Sequence, residues 1–158
     1  MNLYFRLLRI FFSSWFKPRL PAGRTSCHLD LRVLPNDLDI NMHMNNGRYL
    51  TICDLTRVDL FLRTGLATTM RKHRWIPIIA EHTMIYRKSL KLFSPFRVSM
   101  ELTHWDDKFF YMTHLFAQGD RLIAEGTSKG VVRARDGVIP PEHVIEAVKR
   151  VRGEDVVV

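Results

Sequence analysis

The sequence predicts an α+β domain in which a strongly curved antiparallel sheet wraps one long central helix. Residues 46–65 have helical character, and apolar side chains cover nearly every side of that helix, so it must be buried on most sides. About four β-rich runs follow between residues 75 and 134, separated by short turn sequences as in an antiparallel meander. A sheet curved around the helix is the simplest arrangement that buries it.

The elements that support this class follow one another in a simple order. The first strand ends at Pro35, and a polar loop separates it from the central helix. That helix begins at an N-cap, Asn45 or Asn46, and Gly65 is placed to end it. Alternating apolar and polar residues predict the later strands. The predicted strands cover 27–35, 75–88, 96–105, 109–118 and 121–134, and a last helix covers 140–153.

Residues 1–24 are expected to form an amphipathic helix and a linker ahead of the main domain at 25–158. Arg6 and Arg9 interrupt the apolar residues, so no run approaches the roughly 20 residues that a membrane span needs. On a helical projection Arg6, Arg9 and Lys17 share one stripe, while Phe, Trp and Leu cover most of the rest. This pattern is typical of a helix lying in a membrane interface. It also fits an arm packed on its own domain or on a partner subunit, and both explanations stay open.

Composition and charge restrict the class of protein and of partner. The chain has 158 residues, of which 46% are hydrophobic and 25% charged, and this suits a single globular domain. Its net charge of +8 favours anionic partners, without choosing among phosphates, lipid head groups, nucleic acid and acidic proteins. Cys27 and Cys53 are too few for a disulfide framework, which favours the reducing environment of the cytoplasm. If residues 1–17 bind a membrane, the expected place is the inner membrane surface. No Cys/His cluster has zinc-ligand spacing, so neither a metal nor another cofactor is expected.

One stretch that leads into the central helix combines the residue types that hydrolysis needs. Residues 37–50, DLDINMHMNNGRYL, hold two carboxylates, three amides and a histidine. The stretch resembles the D-x-D-x-x-x-H-[VM]-N-N-x-x-Y-[LI] segment of acyl-CoA thioesterases of the 4-hydroxybenzoyl-CoA thioesterase type. It is closer still to the D-L-D-x-N-x-H-V-N-N segment of plant acyl-carrier-protein thioesterases. The resemblance covers roughly residues 25–145 and implies the hot-dog fold. Met42 departs from it, since many relatives carry glycine there, and this implies a stiffer loop.

The resemblance implies a role for each polar residue of this stretch. Asp39, the second aspartate, corresponds to the nucleophile or general base of the family. The backbone N–H of Asn46 corresponds to the donor that polarises the thioester carbonyl, where the helix dipole adds positive potential. Asn41 and His43 match the amide and imidazole that the acyl-carrier-protein thioesterases place around the site, and His43 is expected to orient water or hold Asp39. Asn45 is expected to cap the helix or hold the loop.

Other residues complete the expected substrate site. Tyr49 belongs to the same motif, and we expect it to contact substrate together with Asn45. Arg87 and Lys88 are placed to contact the phosphates of coenzyme A or the acidic surface of a carrier protein. The expected reaction is hydrolysis of an acyl-CoA or acyl-carrier-protein thioester to free acid and thiol. The resemblance also implies an active site between subunits, and therefore a homodimer or a dimer of dimers.

Two further carboxylates have competing explanations. Asp37 is expected to hold the loop or to act as a cap. Asp54 lies on the central helix, where other hot-dog thioesterases use a carboxylate, but it could instead pair with Arg57 one turn later.

Other functions fit the sequence less well. GTSKG at 126–130 matches G-x-S-x-G, but a nucleophile elbow needs a sharp turn into a helix, whereas this pattern continues as a strand. Its small residues are expected to let the sheet pass close to the central helix. Hot-dog hydratases carry a proline and a histidine five residues after the aspartate, and here the spacing is four without proline. RKHR at 71–74 fits a solvated loop, or a contact for the phosphates of coenzyme A or the acidic surface of a carrier protein, better than a nucleic-acid site. A membrane-associated acyl-binding protein without turnover stays open as the alternative.

Overall fold

The computed structural model describes residues 2–154, in which one six-stranded antiparallel sheet curves around a central helix. Met1 and residues 155–158, which the sequence assigned to the first and second segments, lie outside the described residues. The helices are α1 (Asn2–Ser14), α2 (Asn46–Thr64), α3 (Leu66–His73) and α4 (Pro141–Arg152). The strands are β1 (Thr25–Arg32), β2 (Ile76–Tyr86), β3 (Pro95–Trp105), β4 (Phe110–Gln118), β5 (Arg121–Ala134) and β6 (Gly137–Ile139).

The sheet order explains how the central helix is wrapped. The long strands lie in the order β1-β3-β4-β5-β2, and β6 pairs with the end of β5. The chain therefore leaves one edge of the sheet after β1, crosses its face as α2, and returns at the opposite edge as β2. All five predicted strands are present. The short β6 was not predicted because three residues give no alternating pattern.

Helix α2 lies against the concave face of the sheet. Its buried side chains meet core residues of the strands, among them Val98, Phe116 and Ile123. Gly65 adopts a left-handed backbone with φ of 85°, and this ends α2 at the predicted position. The chain then starts α3, so RKHR at 71–74 forms the end of a helix and not the loop that was expected. Arg74, which follows α3, also adopts a left-handed backbone, and α3 ends there.

Strand β5 is continuous through the G-x-S-x-G stretch, which rules out a nucleophile elbow there. The reason for the small residues differs from the expectation. A Cβ built on Gly126 would lie 2.3 Å from the backbone carbonyl oxygen of Thr83, in the neighbouring strand β2. Gly126 therefore permits close strand pairing between β5 and β2, and not an approach of the sheet to the central helix.

Helix α1 packs on the domain through the face that includes Arg6. Leu3, Leu7 and Ile10 join the main hydrophobic core, and Arg6 is only 8% exposed. Of the two explanations left open for α1, packing on its own domain is present, and Arg6 points inward while Arg9 of the same stripe is exposed. The physical reason is a partner for the charge: the buried carboxylate of Asp37 accepts hydrogen bonds from Arg6.

The segment after α1 is also held to the domain. Lys17 Nζ lies 2.8 Å from the buried carboxylate of Asp59 in α2. Leu20 N–H donates to the Arg63 carbonyl at 3.1 Å, and Arg63 Nε donates to the Pro18 carbonyl at 3.0 Å. The residues expected to form a linker thus fix the orientation of α1 relative to α2.

Strand β2 ends the sheet and leaves apolar side chains exposed. Ile76, Ile78 and Ile85 are 62%, 40% and 56% exposed. No other strand of the described residues 2–154 pairs with its outer edge. The unpaired backbone groups of such an edge can pair with a strand of another chain.

Candidate active site

The polar stretch before α2 folds into a tight turn. Asp39 N–H donates to the His43 carbonyl at 2.9 Å, and Met42 N–H donates to the Asp39 carbonyl at 3.1 Å. Met44 N–H donates to the Leu90 carbonyl at 2.8 Å, which attaches the turn to the segment after β2. The backbone therefore holds residues 39–43 in a defined geometry beside the start of α2.

The half-buried carboxylate of Asp39 divides its oxygens between two environments. Oδ1 accepts hydrogen bonds from the N–H groups of Asn41 at 2.9 Å and of His43 at 3.4 Å. For Oδ2 the structure describes no partner among residues 2–154. One oxygen thus stabilises the turn, and the other is available to a ligand or to water.

Met42 takes the left-handed conformation that its position in the turn requires, with φ of 59°. Glycine adopts this conformation freely, whereas another residue type pays about 1–2 kcal/mol. The difference gives a physical reason why glycine suits this position in similar sequences. The Met42 side chain is 61% exposed and that of Ile40 is 98% exposed, so the turn projects apolar groups outward.

The start of α2 supplies donors beside this turn. Asn45 is the N-cap, and its Oδ1 accepts from Gly47 N–H at 2.8 Å, as expected. The first N–H groups of a helix have no acceptor within the helix. Asn46 N–H is one of them, and no residue among 2–154 is described as its acceptor. The Asn46 carbonyl accepts from the Tyr86 hydroxyl at 3.0 Å, which holds the first residue of α2 against β2.

Asn41 and His43 belong to the same turn but differ in exposure. The Asn41 side chain is exposed, and His43 is half-buried. His43 forms a short antiparallel bridge with Lys91. Within the described part of the chain, His43 holds Asp39 through its backbone N–H, and no side-chain hydrogen bond joins the two.

Asp37 has a larger structural role than the sequence suggested. It is 1% exposed, and Oδ2 accepts from Leu34 N–H at 2.9 Å, so the expected loop-holding role is present. Arg6 NH2 lies 2.7 Å from the same oxygen, and Arg48 Nε lies 3.6 Å from Oδ1. No local pattern signals the pair with Arg6, because 31 positions separate the two residues.

Three residues that were expected to contact substrate lie in three different environments. Tyr49 is 1% exposed and packs against the rings of Tyr86 and Phe116, so it acts as a core residue and offers no surface to a ligand here. Arg87 is paired with Glu125 of β5. Lys88 is exposed, and its backbone N–H donates to the Ile123 carbonyl at 3.1 Å. Of the expected basic contacts, Lys88 is thus the more accessible to an anionic group.

Asp54 had two explanations, a catalytic carboxylate or a partner of Arg57. The structure shows the pair with Arg57. Asp54 is exposed, whereas Arg57 is 4% exposed and extends towards the interior. Arg57 NH2 lies 3.3 Å from His82 Nδ1 on β2.

A family match covers both the turn and the sheet around it. Residues 33–148 match the thioesterase-like superfamily. The chain belongs to this superfamily.

Curated relatives agree with that membership. The chain is 36% identical over 118 residues to protein THEM6 of Xenopus laevis, which covers 73% of this chain and 55% of the relative. It is 25% identical over 122 residues to a probable thioesterase of Saccharomyces cerevisiae, covering 75% of this chain and 53% of the relative. The chain thus spans little more than half the length of these members of the superfamily.

Solved structures of thioesterase-like proteins share the fold. A probable thioesterase from Escherichia coli, YbaW, superposes with a TM-score of 0.71 at 17% identity, covering 78% of this chain and 96% of that one. The gentisyl-coenzyme A thioesterase BH1999 superposes with a TM-score of 0.65 at 21% identity, covering 75% and 98%. The hot-dog fold that the motif implied is therefore confirmed.

This thioesterase-like chain also contains a buried polar cluster that the sequence did not reveal. Cys53 Sγ and ring nitrogens of His82 and His114 lie within 4.8 Å of one another. His114 Nε2 is 2.9 Å from Ser128 Oγ, while His114 Nδ1 and His82 Nε2 are buried without a partner among the described residues. Burial lowers the pKa of His114 to about 3, lowers the pKa of His82, and raises the pKa of Cys53 to about 12.

The residue types of this cluster are those of a zinc site, brought together from α2, β2 and β4. The charge nearby does not suit a metal ion. The Arg57 guanidinium lies 3.3 Å from His82, and a second cation so close would be repelled in a poorly solvated interior. We therefore assign no metal to these residues.

An apolar cavity of about 60 Å³ lies near the other end of α2. Leu60, Phe61, Met70, Ile79 and Met112 are among its lining residues. Leu60 follows Asn46 by fourteen positions, which is about 21 Å along the helix. The cavity is thus separate from the turn at Asp39, and the candidate thioester site of this superfamily member is the turn itself.

Proposed function

We propose that this protein hydrolyses acyl thioesters, with Asp39 as the catalytic carboxylate and Asn46 N–H as the donor to the carbonyl oxygen. One observation carries the proposal. The turn that holds Asp39 through Oδ1 leads directly into a helix whose first N–H group has no acceptor among the described residues. A carboxylate and a positive helix end in one short segment are the two groups that thioester hydrolysis needs.

In the proposed reaction Asp39 acts as a general base. Its Oδ2 takes a proton from water while the water oxygen bonds to the thioester carbon. The carbonyl oxygen becomes an oxyanion and accepts from Asn46 N–H, whose donor strength the dipole of α2 raises. The intermediate collapses with cleavage of the C–S bond, and the thiolate leaves with the proton that Asp39 had accepted. Direct attack by the carboxylate, followed by hydrolysis of the anhydride, would give the same products.

The other residues of the turn have supporting roles in the proposal. His43 and Asn41 orient Asp39 through their backbone N–H groups, and their side chains are placed to hold the attacking water. Lys88 binds phosphate of the thiol carrier, together with Arg87 once its pair with Glu125 opens. Coenzyme A is the favoured carrier, because the structural relatives of this chain include coenzyme A thioesterases. An acyl carrier protein is the alternative carrier.

A homodimer is part of the proposal, since the resemblance implies a site between subunits. The exposed apolar edge at β2 supports it. The Tyr86 hydroxyl on that strand donates to the carbonyl of Asn46, so a subunit added at β2 would lie next to the start of α2. The partner could then complete the walls of the substrate site.

The alternative function is acyl binding without turnover, and one observation favours it. Asp39 Oδ1 already accepts two backbone N–H groups, as in aspartates that serve only to form a turn. In that case the charge of Asp39 would be dispensable.

The substitution Asp39→Asn separates these two functions. Asparagine keeps an oxygen that can accept from both N–H groups, and it removes only the charge. We expect thiol release from a panel of acyl-CoAs to fall about 100-fold or more while the melting temperature is retained. Asp39→Ala should lose both activity and stability, and Asp107→Asn, a matched change of an exposed carboxylate in the turn between β3 and β4, should stay near wild type.

Two results would contradict the proposal. Near wild-type turnover in Asp39→Asn would remove Asp39 from the chemistry. Tight binding of acyl-CoA with no thiol release by the unsubstituted protein from any tested substrate would establish the binding function instead.

A further inference from the structure

The outward face of α1 is an apolar surface of unusual composition. The inward face is buried against the core, and the opposite face carries seven large apolar residues, five of them Phe or Trp. Rings of Phe11, Phe12 and Trp15 contact one another with centroids 5.7 to 6.4 Å apart. The exposed fractions are Tyr4 71%, Phe5 65%, Leu8 53%, Phe11 42%, Phe12 57%, Trp15 71% and Phe16 89%. We call this surface the aromatic face.

The aromatic face is held in a fixed orientation. Arg6, in the middle of the inward face, hydrogen-bonds both oxygens of Asp37 and the Arg32 carbonyl. Lys17, at the other end, pairs with Asp59. Because Arg6 and Lys17 are held by buried carboxylates, the helix cannot turn its aromatic side chains inward without breaking both ion pairs and moving the charge of Arg6 out of its buried position.

The charge around the aromatic face distinguishes between possible occupants. Residues 1–29 contain five Lys/Arg and no Asp or Glu. Arg6 and Lys17 are paired with buried carboxylates, whereas Arg9 on α1 itself and Arg19 and Arg24 in the segment after it are exposed. A second copy docking through the same face would bring these cations together, whereas an anionic surface would be attracted by them. Trp, Tyr and Phe are also the residues that favour the boundary between lipid head groups and acyl chains.

We propose that the aromatic face inserts into the surface of an anionic lipid bilayer. No helix within residues 2–154 has the length and hydropathy to cross a membrane. Helix α1 would lie parallel to the surface, with the rings among the upper acyl chains and the arginines at the level of the head groups. This inference does not rest on the proposed catalysis.

The attachment gives the membrane a defined position relative to the turn at Asp39. Asp37, which holds α1, is two residues from Asp39 and its carbonyl accepts from Asn45 N–H at 2.8 Å. The bilayer would thus contact the molecule on the side where this turn begins. A rigid attachment differs from a flexible tether, because the surface then fixes the orientation of the whole domain.

The test compares two double substitutions of equal charge in the full-length protein. Phe5→Glu with Phe12→Glu changes the aromatic face, and Leu115→Glu with Val138→Glu changes apolar side chains that are exposed elsewhere. Flotation with vesicles of phosphatidylglycerol and phosphatidylcholine should show binding of wild type that weakens with added salt. The first variant should bind the vesicles at least about tenfold more weakly than wild type, and the second should bind like wild type.

Tryptophan fluorescence gives a second measurement that needs no disruptive variant. Trp15 should shift to shorter wavelength with vesicles and be quenched by brominated acyl chains. Trp15→Phe should remove that response and leave the signals of Trp75 and Trp105. The proposal is overturned if wild type does not bind vesicles, or if both double variants bind equally. It is also overturned if Phe5→Glu with Phe12→Glu changes only the oligomer mass in light scattering, since the face would then be a protein interface.

Discussion

The imidazole of His114 makes the stability of the protein dependent on pH. It is fully buried, and burial lowers its pKa to about 3 from the ordinary value of 6.5. Below pH 6.5 the unfolded chain binds a proton there that the folded chain does not bind. The free energy of unfolding should therefore fall as the pH falls from 6.5 towards 3, by roughly 2 kcal/mol at pH 5 from this group. Protonation of His82 acts in the same direction.

Urea unfolding at pH 7, 6 and 5 measures this effect. His114→Gln retains a polar group opposite Ser128 but has no proton to bind, so its stability should depend less steeply on pH. His28→Gln, on the exposed side of β1, should leave the pH dependence of wild type unchanged. Equal slopes for wild type and His114→Gln would show that His114 is not the group responsible.

The sequence predicted contacts within one helical turn better than contacts between residues that are far apart in the chain. The cap at Asn45 and the pair between Asp54 and Arg57 followed from spacing alone, because both depend on residues within one helical turn. The pair of Arg6 with Asp37 depends on the packing of α1, which no local pattern records. The cluster of His82 and His114 likewise appears only when β2 and β4 face the same helix.

The ion pair between Arg6 and Asp37 should control the docking of α1 as an element. Both side chains are buried, so removing one takes from the other the charge that lies nearest to it, although Asp37 retains Arg48 at 3.6 Å and Arg6 retains the Arg32 carbonyl. Arg6→Met and Asp37→Asn should each lower the free energy of unfolding by about 3–5 kcal/mol. The double variant should lose clearly less than the sum, because the two residues act on each other.

Urea unfolding of the four proteins in this cycle measures the coupling. Asp37→Asn keeps an acceptor for Leu34 N–H, so the capping role is retained in the comparison. Additive losses would mean that Arg6 stabilises the fold by other contacts.

The same pairing means that deletion of residues 1–20 would uncover Asp37, Asp59 and part of the core. Point substitutions on the outer side of α1 are therefore the better probe of its membrane contact.

The elements that could be predicted are those whose apolar residues repeat with a clear period in the sequence. The long strands and α2 have strong periods, so their existence followed from the sequence. Helix α1 is apolar on most of its surface, so the sequence gives its helical character but not which side packs inward. The ion pair between Arg6 and Asp37 sets the inward side, and Asp37 lies outside α1, between β1 and α2. Helix α3 was not predicted because it is short, follows α2 after one glycine, and ends in charged residues.

At the scale of the whole molecule, association through β2 should decide the oligomeric state. Ile85 of β2 and Leu115 of β4 both lie opposite Glu125 of β5, and therefore on the same face of the sheet. They are 56% and 46% exposed. Ile85→Lys should weaken association, because two copies meeting at this edge would bring the new charges together. Leu115→Lys, two strands further in, should leave it unchanged.

Light scattering over a range of protein concentrations provides the measurement. An active monomer in the unsubstituted protein would contradict the site between subunits. Equal masses for Ile85→Lys and wild type at every concentration would place the interface elsewhere on the molecule.

The hydrogen bond from Arg152 to the Leu20 carbonyl joins residues 132 positions apart. During synthesis at about 5–20 residues per second, α1 leaves the ribosome roughly ten seconds before the residue that completes this contact. Its internal partners Asp37 and Asp59 also emerge only after it. For that interval the nascent chain presents its most apolar helix with nothing to pack against. If α1 binds lipid as proposed, the order of synthesis would let it meet a bilayer before the rest of the fold can orient it.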